Sequence, residues 1–529
     1  MKKKKLLFAI LALVLGTTML VACNGDKVET TGEAGGEATS DTTENAGGDT
    51  VDLTEYSSAE LEEGALYRIC VNNEETFEKD AMTVSDFSMV DNSIVKLEIY
   101  GRHLSQIWRA HKNSDGTYSF ENMASGMYMS VRNPDNFKKE KKLSACLEGT
   151  NDQAKSWKVY SIDGSIENCV ILNTCTNYFA SAVATKTKIN YAEQAKDYNG
   201  DDTQTWSFKK VSDGDGEYPR MLVLSGDFQG SASCPEIIYH NGVYYNYNMT
   251  GPITVKTSTD MINWKLIDGK YAFSRPEWLT TVSLEGSIWA PGCYKIGDKF
   301  FLYYCTSSSG SQNSAIGVAT SLDPAKNDWQ DQGMVIRSYH GESNFNAIDP
   351  NVFVDDDGTP YLIYGSYWTG VYMRKLNPQT GMLADPDAAP VHLAEGKPDM
   401  EAPYLIKHGD YYYLFVARGG LKKGTYYWAV GRSDKLQGPY VDKDGVTMLS
   451  GNGGTRLTEW KAGVEGAAHA QLFVGPDGQS YFVSESWTYR DSKGEKNGPI
   501  QLTIGTVVWT KDGWPVTALD KNVLKALGE

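Results

Sequence analysis

The sequence predicts an all-β protein: a five-bladed β-propeller preceded by a second, threefold β domain. Two sets of internal repeats carry that prediction, one spaced by a tryptophan and one by paired aromatic strands, and the composition permits it. The chain has 529 residues, 41% hydrophobic and 22% charged. Those are ordinary globular values, which exclude wholesale disorder and allow more than one domain. The formal charge of −17 argues against nucleic acid, whose binders carry basic patches. Tyr is in excess, 32 against 16 Phe. A flat ring with a hydroxyl suits surfaces that meet polar ligands, but a β-rich chain spends Tyr on its strands as well.

The first residues set the compartment. Lys2 to Lys5 form a positive start, Leu6 to Val21 an apolar stretch, and Leu20-Val21-Ala22-Cys23 follows. A basic start, a short apolar core and small residues before the cut describe a secretory signal over 1–22. The stretch is slightly short for a span of ~20 residues. Leu-Val-Ala-Cys resembles a bacterial lipobox, and the resemblance implies that Cys23 becomes the lipidated first residue of a surface lipoprotein. Loss of the four lysines would take the charge from −17 to −21, so lipid rather than electrostatics must hold it at an anionic bilayer. Residues 23–56 are rich in Gly, Glu, Thr and Ala and read as a tether that cannot bury enough to offset its chain entropy.

The threefold domain is expected over 57–212. Gln106-Ile107-Trp108, Lys155-Ser156-Trp157 and Gln204-Thr205-Trp206 recur at intervals of 49 residues. The first two Trp are followed by a turn and a strand-like run: Asn113 to Phe120 after the first, Asp163-Gly164 and then Val170-Ile171-Leu172 after the second. Three equal units with one Trp each suggest a pseudo-threefold barrel. It resembles the ricin-type β-trefoil lectin, whose repeats carry Gln-x-Trp near their ends; Lys155 departs from that pattern. The resemblance implies a core role for the Trp and makes carbohydrate binding an expectation. Val211 to Arg220 reads as a linker.

The propeller is expected over 220–529. Five hairpins recur about 50–65 residues apart. They run from Pro235 through Asn241-Gly242, from Pro291 through Gly297, from Pro350 through Asp357-Gly358, from Pro403 through Gly409, and from Ala470 through Asp477-Gly478. Five blades close around a central channel, and each hairpin supplies the innermost strands. The residues before each start then ring the mouth: Cys234, Ala290, Asp349, Ala402 and His469, with Glu401 before Ala402. Two carboxylates there fit glycoside hydrolysis; acids that merely cap turns are the plainer alternative.

The strings Ser287-Ile288-Trp289-Ala290-Pro291, Asn346-Ala347-Ile348-Asp349-Pro350, Tyr364-Gly365-Ser366-Tyr367-Trp368 and Glu401-Ala402-Pro403-Tyr404-Leu405 resemble glycoside hydrolase family 43. The likeness runs from about Leu222 to the end, and within the family is nearest to its inverting α-L-arabinanases. It implies Glu401 as general acid and Asp349 as the residue that orients the acid and tunes its pKa. It implies substrate contacts at Trp289, Asn346, Ser366 and Trp368. His469 resembles the channel His that helps hold a hydrated calcium or similar ion, although a satisfied structural His is an equal reading.

The first blade departs from the family. Where an Asp base is expected the chain has Cys234, and a largely neutral thiol cannot activate water as a carboxylate does. Glu236 and Asp227 are candidate substitutes, with Glu285 also near in sequence. The resulting expectation is a surface-anchored hydrolase of α-1,5-linked L-arabinan or a related plant polysaccharide. A non-catalytic glycan-binding lipoprotein and other family 43 specificities (β-xylosidase, α-L-arabinofuranosidase, galactanase) are the alternatives.

Overall fold

A computed structural model describes residues 53–528 except 74–79, 85–91, 101–102, 133–140, 147–151, 186–189, 213, 215–216, 231, 251, 421–424, 460–463 and 488–498. The signal, Cys23 and most of the tether lie outside the described residues. Residues 49–529 form one compact unit. Among the described residues no helix is long and apolar enough to cross a membrane.

The first lobe is a closed ring of six strands: Leu66–Val71, Trp108–Lys112, Tyr118–Asn122, Trp157–Ser161, Cys169–Asn173 and Trp206–Ser212. Each pairs with the next, and the last returns to the first. Three hairpins, Asp80–Val84 with Ser93–Ile99, Tyr128–Val131 with Leu143–Cys146, and Phe179–Val183 with Asn190–Ala195, pair with one another at one end. The tryptophan repeat explains this symmetry. Trp108, Trp157 and Trp206 each follow a single 3-10 turn, open a ring strand and are fully buried. Each indole N–H donates to a hairpin carbonyl, of Met82 at 2.9 Å, Met129 at 3.1 Å and Ala180 at 3.0 Å. One side chain per repeat thus fills the core and ties ring to hairpin, and no buried indole N–H of the three is left unpaired. Gln106 and Gln204 donate to the carbonyls of Ile99 and Asp197, at 3.0 and 2.8 Å, and so brace the turns before the first and third Trp.

The second lobe is five sheets of four antiparallel strands, over Ser233–Tyr271, Trp289–Ser338, Asn351–Ala394, Glu401–Arg456 and Glu465–Thr517, the first of which gains a short fifth strand, Ser225–Gly226, paired parallel at its outer edge. Their first strands, Ser233–His240, Trp289–Ile296, Asn351–Val354, Glu401–His408 and Glu465–Val474, contact one another in sequence, and the fifth contacts the first. These are the innermost strands of a five-bladed propeller. Local chemistry sets the hairpins: Asn241 and Gly242 have φ of 50° and 83°, the two positive values that a type I′ turn requires. The segment Arg220–Gly230 hydrogen-bonds to Ile500–Thr506 of the last blade and so closes the ring. Gly292 is needed for blade contact, because a Cβ there would collide with the Pro350 carbonyl oxygen.

Candidate active site

The inner strands begin with a shared irregularity. Cys234, Asp349, Ala402 and His469 have φ between 47° and 55°, a left-handed conformation that costs non-glycine residues roughly 1–2 kcal/mol each. The ladder slips beside three of them, between Ser233 and Glu236, Glu401 and Tyr404, and Ala468 and Gln471. Strict alternation is lost there. Consecutive residues such as Cys234, Pro235 and Glu236 therefore line the same axial cavity. Strained non-glycine backbone in four blades, all at one end of one channel, points to a functional site.

Glu401 and Asp349 meet at this end. Asp349 is buried, and its Oδ2 accepts the Ala402 N–H at 3.2 Å. Burial, and then the Glu401 charge, push its carboxyl well above the usual range. Glu401 is also raised, chiefly by burial, and Asp399 adds to the shift; hydrogen bonds from Tyr426 and Ser366 pull the other way. The two carboxyls share one poorly solvated region and titrate together. Ser366 Oγ donates to Glu401 Oε2 at 3.0 Å. The loop that carries Ser366 has positive φ at Tyr367 and Trp368, and the Tyr367 N–H donates to Met400 O at 2.7 Å, which pins the loop beside Glu401.

Trp289 and Trp368 are partly exposed. Asn346 is buried, its Oδ1 accepting from Ser314 Oγ at 2.6 Å, so this amide braces the turn into Asp349. His469 is partly accessible by area but enclosed by the channel wall, and burial lowers its pKa to about 4. It is a neutral imidazole at pH 7, with Nδ1 3.5 Å from Cys234 Sγ. Among the described residues no three His, Cys, Asp or Glu side chains converge to ligate a metal directly, so an ion at His469 would be held largely through waters.

Cys234 is buried, and desolvation together with nearby carboxylates holds its thiol well above the ordinary value. It stays protonated and is no base. Glu236 sits deeper in the same cavity. Gln471 Nε2 donates to its Oε1 at 2.9 Å, and Asn351, Tyr294 and Tyr404 stand around it. Burial raises its carboxyl well above the normal range, so Glu236 holds its proton to higher pH than an ordinary Glu. Asp227 is exposed at the outer edge of the first blade, where Oδ2 accepts the Leu266 N–H at 2.9 Å. Glu285 is exposed in the loop before Trp289.

Two buried residues at this site escaped sequence reasoning. Tyr426 hydrogen-bonds Glu401 and feels the charges of Glu401, Glu485 and Asp349. Glu485, on the second strand of the last blade, accepts the Cys234 N–H on Oε2 at 3.1 Å. Both lie outside the repeated blade-start motif; Tyr426 stands at the mouth end of the blade that carries Glu401, and ring closure brings Glu485 to Cys234.

Residues 228–515 match the family described as glycosyl hydrolases family 43. An extracellular exo-alpha-(1->5)-L-arabinofuranosidase of Cellvibrio japonicus is 36% identical over 287 residues, which cover 50% of this chain and 80% of that protein. Extracellular endo-alpha-(1->5)-L-arabinanase 1 of Bacillus subtilis is 35% identical over 275 residues, 50% of this chain and 79% of the relative. The solved structure of Cellvibrio cellulosa alpha-L-arabinanase complexed with arabinohexaose covers 56% of this chain and 98% of its own, at 32% identity and a TM-score of 0.50.

Proposed function

Because the chain belongs to glycosyl hydrolases family 43 and is a glycosidase, we propose that it hydrolyses α-1,5-linked L-arabinan or a related plant polysaccharide with inversion, at the propeller mouth. The Asp349–Glu401 pair carries the proposal. Glu401 protonates the leaving glycosidic oxygen, which requires a carboxyl that keeps its proton near neutral pH. Burial raises Glu401 in that direction, and Asp349 supplies a neighbouring carboxyl that cannot ionise independently. Asp349 also orients the turn that carries the acid, through the Ala402 N–H. Ser366 holds one oxygen of Glu401, while Trp289 and Trp368 are exposed enough to meet sugar faces.

Reducing-sugar release from debranched arabinan tests this reading. Wild type should release sugar, and Glu401→Ala should fall by about 10²–10⁴-fold. Release no greater than that of Glu401→Ala would leave glycan binding without catalysis, the reading that the Cys234 substitution favours.

The six-strand ring with three capping hairpins and three equivalent Trp supports a ricin-type β-trefoil for 57–212. The Leu-Val-Ala-Cys string supports lipidation of Cys23 and anchoring at the cell surface; Cys23→Ser should move the protein from the membrane to the soluble fraction.

A further inference from the structure

The proposed hydrolysis needs a carboxylate to take a proton from water, and the Cys234 position lacks one. The sequence neighbours do not replace it. Asp227 caps an outer strand and Glu285 is exposed in a loop. Glu236 shares the cavity, but it is held by Gln471 at 2.9 Å, deeper in the channel.

Glu485 stands beside the gap. It is 2% exposed, on the strand Ser480–Trp487, in register with Ala468, the residue before His469. Its Oε2 accepts the backbone N–H of Cys234 itself at 3.1 Å, across the closure between the last and first blades. Its charge reaches Cys234, Asp349 across the channel, and Tyr426, which also hydrogen-bonds Glu401. A carboxylate on a neighbouring strand thus lies against the backbone from which an Asp at 234 would project.

Resting on the proposed hydrolase reading, we propose that Glu485 is the general base of this enzyme, in place of a carboxylate at position 234. The step balances without a co-reactant. A water O–H proton passes to the Glu485 carboxylate as the water oxygen bonds to the anomeric carbon. The glycosidic C–O bond breaks, and the Glu401 proton goes to the leaving oxygen. Glu485 then loses its proton to solvent and Glu401 regains one.

The test measures turnover and binding on a linear α-1,5-arabino-oligosaccharide for wild type, Glu485→Gln, Cys234→Asp and the double variant. Glu485→Gln should lose about 100-fold or more in kcat, with oligosaccharide affinity within about twofold of wild type. Azide needs no base, so it should restore turnover of a 4-nitrophenyl α-1,5-arabino-oligoside by Glu485→Gln and yield the inverted glycosyl azide. Cys234→Asp should raise activity in the Glu485→Gln background. Wild-type-like turnover by Glu485→Gln, or a tenfold rise in kcat for Cys234→Asp alone, overturns the assignment while leaving the hydrolase reading intact. An inactive wild type overturns both. If Glu485→Gln does not fold, Glu485→Asp decides: it keeps the charge but withdraws it by one methylene. A tenfold or larger fall in kcat at unchanged affinity supports the base, and unchanged kcat refutes it.

Discussion

Glu236 shows how one residue couples the channel to stability. Its carboxyl is raised well above the ordinary 4.5 by burial. An unfolded chain releases that proton as pH passes the ordinary value, whereas the folded chain holds it to higher pH. Stability is therefore fully present below about pH 4.5 and falls as pH rises toward the folded value, by about 1.4 kcal/mol per unit. Glu236→Gln keeps the shape and removes the titration. It should leave thermal unfolding near pH 4 almost unchanged and raise the midpoint at pH 8; equal midpoints for both proteins at pH 8 would refute a buried, proton-holding Glu236. At this scale the sequence showed Asp349, Glu401 and Cys234 by their place before a blade start. Glu485 and Tyr426 were invisible, because neither lies in the repeated motif and their importance comes from neighbours on other strands, of another blade for Glu485.

The blade start is the element that builds the site. Four of the five inner strands carry a left-handed residue in or just before their first half, and beside three of them the ladder slips, which turns successive side chains toward one cavity. Ala402 has φ of 49° and no side-chain function that would favour that region. Ala402→Gly removes roughly 1–2 kcal/mol of backbone strain and adds about 0.5–1 kcal/mol of chain entropy. A net gain of about 0.5–1 kcal/mol is expected in urea denaturation, and a loss of stability would show that the strain is not present in solution. Asn241-Gly242 and the Trp repeats were legible as elements because their chemistry is local. The slipped ladders were not, because alternation along one strand says nothing of the partner's register.

Across the whole molecule the two lobes share a core. Leu66, Leu104, Ile107, Met123 and Ala124 of the first lobe pack in one buried cluster with Leu457, Phe482, Val516 and Leu524 of the second. The short C-terminal helix Val523–Leu527 joins the same cluster. The boundary near 212–220 is thus a boundary in sequence and a packed interface in space. Fully buried Ile107 is its probe: Ile107→Asp buries a charge without a partner and should destabilise by several kcal/mol. Calorimetry should show one cooperative transition for wild type, and two resolved transitions would refute a shared core.

The sequence by itself determined the all-β class, the two repeat periods, the five hairpins and the pair Asp349–Glu401. Each is written in residues close along the chain or in a period that recurs. Tertiary structure alone decided which acid stands beside Cys234, that Glu236 is buried deeper in the channel, that Asp227 lies outside it, and that the lobes share a core. Those facts depend on contacts between strands of different blades, 251 residues apart for Cys234 and Glu485, and no local pattern encodes which strands a closed ring will bring together.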